Sequence, residues 1–392
     1  MTRLPLVLRI LLIVLLPGII TGCWDRKEMD ELALVMASGI DLTEDGQLEI
    51  TVQIALPTGI PSAVQSGSAD KKPIIIISSK GKNSSDILGK MQQQLSRTIH
   101  FGHRSVIVFG ERYAREGVNQ VLDTFTRLPE SRYNSYVLTA SGATAKEVLS
   151  APYQPELISG IGMAKIQSSN ISFGVKIDQY ASALATQGRS AVTGGIRLSG
   201  QDPSNRSFVI DKIAIYRGNK LVGFLEGEEA KLLRWWSEQK YKTRFTVRVE
   251  PESQKYKGIT GVELVDSKKT IHMNIRNGMP EFRIILKATV RAIDNDSSLD
   301  VTQEENMRKV EMLLSQQITQ NMEDMLRHVK DELKSDILGL GEVVHHRRPY
   351  LWKKLRSRWV DVYPTIPVQV VSKIKIVRTG KTEKPAHTGS TN

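Results

Sequence analysis

The chain has 392 residues, with 54 Lys plus Arg against 42 Asp plus Glu and a single cysteine. One thiol excludes an intramolecular disulfide framework and any multi-cysteine zinc site. An apolar share of 40% is ordinary for a folded protein and predicts two or three domains with buried cores, while the cationic surplus points to nucleic acid or anionic lipid, between which charge alone does not choose.

Arg3 and Arg9 make a basic start, and an apolar run from Ile10 to Leu16 continues in Ile19 and Ile20. As a helix, residues 10–20 cover about 16 Å against about 30 Å of hydrocarbon. That is too short for a permanent span and right for the apolar core of an export signal. The run ends in Ile20-Thr21-Gly22-Cys23, which is an aliphatic residue, two small residues and a thiol. It resembles the lipobox of bacterial lipoproteins. The resemblance implies a lipoprotein signal peptide over 1–22, cleavage between Gly22 and Cys23, and acylation of Cys23. Cys23 would then carry a diacylglyceryl group on sulfur and an acyl chain on its amine. Two chains anchor stably where one binds only marginally. An exported protein does not meet DNA, so the basic surplus reads as compatibility with anionic headgroups.

Downstream, 32–40 and 47–57 flank the turn 43–46. With Leu48, Ile50, Val52 and Ile54 alternating, they predict a β-hairpin. Residues 57–73, rich in Pro, Gly and Ser, read as a long surface loop. Next come a short buried strand at 74–77 and a helix capped by Ser84-Ser85-Asp86, running to about Ile99. HRSVIVFG is a strand, AREGVNQVLDTFTRLPE a helix ending near Pro129, YNSYVLTASG a strand and TAKEVLS a short helix. One further helix is expected within 171–186. Residues 194–207, GGIRLSGQDPSNRS, read as a loop and domain boundary.

The second half opens with a hairpin, FVIDKIAIYRGNKLVGFL, and a helix on which Trp235 and Trp236 are adjacent. At most one of these can sit at the centre of the buried face. The strands RFTVRVE, GITGVELV, KTIHMNIRN and EFRIILKATVRAI follow, expected antiparallel because their connections are too short for crossover helices. Met307, Val310, Leu314, Ile318, Met322, Met325, Val329, Leu333 and Ile337 form the stripe of one amphipathic helix over 302–338. Its mean step exceeds 3.5 residues, which suits packing on a sheet better than a coiled coil. IPVQVVSKIKIVR is a final strand, and 379–392 read as a disordered tail. The predicted class is multidomain α+β, with mixed and antiparallel sheets and packed helices, the long one on a C-terminal sheet. The N-terminal α/β domain spans 23–205 and the C-terminal α+β domain 206–378, with a subdivision near 270 left open.

No catalytic pattern survives inspection. Gly89-Lys90 has Ser84 where a phosphate loop needs its first glycine and Met91 where it needs a hydroxyl. No G-x-S-x-G elbow occurs, and Gly160-Ile161-Gly162 lacks the third glycine of a dinucleotide loop. His100 and His103 should face opposite sides of a strand, and His345-His346 lie in no H-E-x-x-H frame. No enzyme activity, metal or cofactor is expected beyond the acyl chains. In 345–359, HHRRPYLWKKLRSRW, six Arg and Lys meet Tyr350, Trp352 and Trp359. Two readings stand: a headgroup-contacting surface with interfacial aromatics, or a helix whose aromatics pack while its cations stay solvated.

Several stretches together resemble the Ger(x)C lipoprotein subunit of spore germinant receptors. They are GCWDRKEMDELALVMASGID, HRSVIVFGERYAREGVNQVLDTFTRLPESR, DKIAIYRGNKLVGFLEGEEAKLLRWW and SDILGLGEVVHHRRPYLWKKLRSRW. The likeness is collinear over nearly the whole mature chain. It implies that Trp24, Asp25 and Glu28 are candidate partner contacts and that Gly39-Ile40-Asp41 forms a turn. It also implies a nutrient-receptor subunit on the outer face of the inner spore membrane, assembled with A-type and B-type integral-membrane subunits, with no reaction of its own. Asp294 departs from the family, which often carries glutamate there. The alternatives are a solute-binding lipoprotein of a membrane transporter and a surface hydrolase. The first calls for two lobes of repeated strand–helix units, which the second half does not supply. The second calls for an acid, base or nucleophile set, which is not found.

Overall fold

Alternating apolar residues make Leu32–Leu42 (β1) and Leu48–Ala55 (β2) an antiparallel hairpin in the computed structural model. Its turn is closed where Gly46 takes φ 78° and the Thr43 hydroxyl accepts the Gln47 N–H at 2.9 Å. The structure describes residues 28–56, 74–119, 124, 132–169, 171–200, 206–237, 243–249, 258–297, 299 and 303–378. The segments expected as a signal peptide (1–22), as a loop (57–73) and as a tail (379–392), with Gly22, Cys23, Trp24 and Asp25, lie outside the described residues.

Among the described residues, nine strands form the first sheet. Besides β1 and β2 these are Ile74–Gly81 (β3), Thr98–His100 (β4), Val106–Phe109 (β5), Tyr136–Ala140 (β6), Val192–Ser199 (β7), Ser207–Arg217 (β8) and Lys220–Leu225 (β9). Their order is β3-β2-β1-β5-β6-β7-β8-β9, with β4 also against β1. The centre, β1-β5-β6-β7, is parallel and covered by helices, so β5 is buried along its whole length. The strand at 74 runs on to Gly81 as a half-buried edge, not a short buried strand. One sheet therefore crosses position 206 without a break, since β7 pairs antiparallel with β8.

The helices depart from expectation in part. The first helix, Ser84–Gln92 (α1), is capped by Asn83, whose side chain accepts the Asp86 N–H at 2.9 Å. It stops short of Ile99 because 98–100 pairs with the start of β1. The second, Glu111–Glu116 (α2), ends where Gly117 takes φ 127°; most of the stretch expected as helix as far as Pro129 lies outside the described residues. The expected short helix is present as Ala145–Ser150 (α3), on which Thr144 and Glu147 build a capping box. An unforeseen helix, Ser159–Ser168 (α4), presents Ser159, Gly160 and Gly162 to the core, so no apolar stripe announced it. A Cβ on Gly160 would lie 2.7 Å from that of Ala37, and the Gly160 N–H donates to buried Gln53 at 3.0 Å. Residues 192–199 are strand, not loop. Gly194 and Gly195 are needed because a Cβ there would crowd Leu138 and Lys212.

The expected helices Ile177–Ala185 (α5) and Gly227–Trp236 (α6) are present. The second sheet runs Arg244–Arg248 (β10), Ile259–Arg276 (β11), Met279–Asn295 (β12) and Val368–Arg378 (β13), in that order. Two expected strands are one, β11, which turns into β12 through Asn277 (φ 51°) and Gly278 (φ 77°), a two-residue hairpin turn. The return strand β13 is parallel to β12, so the sheet is mixed.

The long helix is Glu304–Arg327 (α7), prolonged by a π-helical turn at His328–Glu332. It closes near Lys334, at φ 46°, short of 338. Its stripe from Val310 to Val329 is buried. The helix also seals the edge of the sheet. Thr319, Ser315 and Glu311 accept the N–H groups of Ser372, Ile374 and Ile376 at 3.1, 3.1 and 2.7 Å. Four helical residues rise about 6 Å and two strand residues about 6.6 Å, so the two ladders stay in step. An edge that could recruit another strand is thereby covered.

Candidate functional site

Of Trp24, Asp25 and Glu28, Glu28 alone lies within the described residues. It is exposed and leads into a short turn, Met29–Glu31, before β1. Gly39-Ile40-Asp41 is not a turn but part of β1. Asp41 is buried, and its two oxygens accept the N–H groups of Ala145 and Lys146 at 2.8 and 3.0 Å, seating α3. Burial outweighs these bonds, and with Glu49 and Glu147 nearby it raises the carboxyl to about 6. Gly39, two residues back on the same face, faces Ala145, whose Cβ would be 2.9 Å from a Cβ at Gly39. A Cβ on Gly110 would overlap the Asp41 carboxylate. The motif is a helix-docking device.

A second buried carboxylate organises the C-terminal motif. Leu340–Arg347 (α8), Pro349–Leu355 (α9) and Trp359–Val362 (α10) fold around Asp336. Asp336 is 4% exposed and accepts from Leu340 N, Gly341 N and Trp359 Nε1 at 2.9, 2.7 and 3.2 Å. Desolvation raises it to about 6 against those three donors. The loop before β7 locks into the same joint. Ser190 N donates to the Asp336 carbonyl at 2.9 Å, and Glu342 N to the Gly188 carbonyl at 3.1 Å. Gly188, at φ 84°, abuts Gly341; a Cβ there would lie 2.7 Å from both the Gly341 carbonyl carbon and Trp352. Trp352 and Trp359 are buried, edge to face at 5.2 Å. The six cations of this segment are exposed, as is Tyr350 at 87%. Packed aromatics under solvated cations is thus the arrangement adopted.

Between the sheets lies a cleft of about 630 Å³. Leu233, Ile271 and Leu338 supply apolar lining, with Arg189, Lys269 and Arg347 among the polar groups. The Lys269 ammonium sits 4.9 Å from the Trp236 ring centroid and donates to the Trp236 carbonyl. Neither tryptophan of the pair takes the centre of the buried face of α6. Both are half-buried against the second sheet, Trp235 donating to Ser267 at 2.9 Å. The lining thus sets apolar surface beside cationic groups.

His100 and His103 were expected on opposite faces, yet their rings lie 5.9 Å apart because the strand breaks between them. Among the described residues, no three His, Cys, Asp or Glu side chains converge as a metal site. Gly160-Ile161-Gly162 is interior to α4, and Asp294 is exposed on β12. Sequence reasoning did not single out Asp336. Its signal was an aspartate just ahead of glycines that open a helix, Asp336-Ile337-Leu338-Gly339-Leu340-Gly341.

Two family models match in succession: the spore germination protein N-terminal domain over residues 25–198, and the spore germination B3/GerAC-like C-terminal domain over 211–380. The chain belongs to the Ger(x)C family of spore germination proteins. This Ger(x)C protein is 25% identical to spore germination protein KC of Bacillus subtilis (strain 168), over 97% of this chain and 96% of that one. It is 24% identical to spore germination protein B3 of the same organism, over 93% and 95%. The crystal structure of the GerBC protein superposes with a TM-score of 0.57 at 21% identity, covering 90% of this chain and all of that one, which is a likeness of fold. In the Ger(x)C chain no described helix is long and apolar enough to cross a membrane.

Proposed function

We propose that this protein is the lipid-anchored subunit of a nutrient germinant receptor. It is held through acylated Cys23 on the outer face of the inner spore membrane and assembled with A-type and B-type integral-membrane subunits. The supporting observation is that the family match begins at residue 25, directly behind a basic start, an apolar run and Ile20-Thr21-Gly22-Cys23. Acylation confines the body to a plane and raises its effective concentration beside membrane partners, so weak contacts suffice. Its part is assembly, with no reaction of its own. Glu28, with Trp24 and Asp25, stands where such a contact would form next to the bilayer.

Fractionation of spore membranes tests this. High salt should leave the protein in the membrane pellet and detergent should release it, together with integral-membrane proteins that co-purify on a tagged copy. Release by salt alone, or recovery of the protein by itself, would contradict the proposal.

A further inference from the structure

β4 and β5 are two pieces of one line beside β1. Leu34 pairs with His100 and Ala37 with Val106, so residues 101–105 leave the sheet between them. β6 starts level with Val106, at Tyr136, which leaves a notch that α4 borders. The notch is a cleft of about 390 Å³. Four cations line it, Arg104, Arg132, Lys165 and Lys176, beside the imidazole of His103. Arg132 and Lys165 are exposed, and Lys176 is half-buried with its ammonium 5.9 Å from the Tyr136 ring centroid. Arg104 is buried, its guanidinium 5.5 Å from the Phe101 ring centroid. Burial lowers it to about 10, so it stays charged at neutral pH. Ser105, Asn134 and Ser168 add uncharged donors. None of the described lining residues is acidic. The nearby carboxylate of Glu156 pairs with Lys165 at 2.5 Å.

We propose that this cleft binds the phosphate of an anionic phospholipid headgroup, with the bilayer lying against the sheet edge at which the chain enters. The proposal rests on the tether at Cys23. From Leu32 to Met36, whose carbonyl accepts the Ser105 N–H, is four strand residues, about 13 Å. Entry and cleft therefore share one edge. The five steps from Cys23 to Glu28 span at most about 18 Å, which holds that edge nearest the membrane. The opposite edge, with Asp41 and Gly110, lies at the far end of β1. The entry turn itself carries Glu28, Asp30 and Glu31, so the edge is not uniformly basic. The cations gather in one pocket with hydroxyl and amide donors, an arrangement that selects a single phosphate over a diffuse charged surface. Each Lys or Arg at an anionic surface favours binding roughly fivefold. With the tether, a seated headgroup makes a second fixed point, and the body presents one constant face to its membrane partners.

The acylated chain, reconstituted on vesicles of phosphatidylcholine alone or with added phosphatidylglycerol, tests this by amide hydrogen exchange at 101–105, 132–136 and 161–168. The protein should stay on both kinds of vesicle, and exchange at these segments should slow several-fold only where phosphatidylglycerol is present. Joint Lys165→Gln and Lys176→Gln substitution should abolish the slowing with unchanged thermal unfolding. Lys353→Gln with Lys354→Gln, exposed on α9, should leave the slowing intact. Protein that binds phosphatidylglycerol vesicles alone would sink the tether and keep the cleft. Equal exchange on both vesicles would overturn the cleft and keep the tether. Slowing by inorganic phosphate without vesicles, and none by phosphatidylglycerol, would assign a soluble anion and overturn the proposal.

Discussion

Replacing Cys23 by alanine is expected to empty the membrane fraction of this protein and to abolish most of the nutrient response of spores. Each buried acyl methylene contributes about 0.8 kcal/mol, and one chain alone holds a protein only reversibly. Loss of the acceptor thiol removes the sulfur-linked chains. It also removes the substrate for cleavage and N-acylation, so no partial anchor replaces them. The apolar run left in place spans about 16 Å as a helix, about half of the hydrocarbon. Immunoblots of membrane and soluble spore fractions, beside germination rates, check both halves. Normal germination with soluble protein would contradict the proposed role.

Asp336→Ala is expected to cost about 3 kcal/mol of stability, at about 1 kcal/mol for each buried donor left without its acceptor. Those donors are Leu340 N, Gly341 N and Trp359 Nε1. The loss should spread across the joint, because the 188–190 loop is bonded to the same segment. The wild-type carboxyl also sets a pH dependence. Its folded value of about 6 stands above its ordinary 3.8, so the folded state holds the proton longer. The contribution to stability is therefore complete below about pH 4 and lost as pH rises through about 6, by at most about 3 kcal/mol. Asp41 titrates in the same direction, whereas Glu263 and Asp86, held low by Arg291 and Lys90 respectively, act oppositely. Comparing wild type with Asp336→Asn isolates the single group. The stability lead of wild type over the amide, from urea unfolding, should shrink between about pH 4 and about pH 7. A constant difference would contradict the assignment.

What could be read from the chain was local. The hairpins around Gly46 and Gly218, the Thr144 cap and the stripe of α7 depend on neighbours a few residues apart, and each is written in turn chemistry or periodicity. The middle of β11, Val265 to Lys268, is exposed on both faces, so no alternation joined the two expected strands, although Asn277-Gly278 was a legible turn signal. The helix α4 was hidden because close approach, not apolar area, docks it. The break between His100 and Val106 follows from pairing with β1, more than sixty residues earlier. Asp41 was visible as a family residue, yet its work depends on Ala145, 104 positions away. The parallel return of β13 requires the whole length of α7 to intervene. Such features belong to topology, which one segment cannot state.

The tether stands or falls on the mass of the N-terminal peptide from protein purified out of spore membranes. A peptide beginning at Cys23, heavier by a diacylglyceryl group and an amide-linked acyl chain, is the expected result. A free thiol at Cys23, or residues 1–22 still attached, would contradict it.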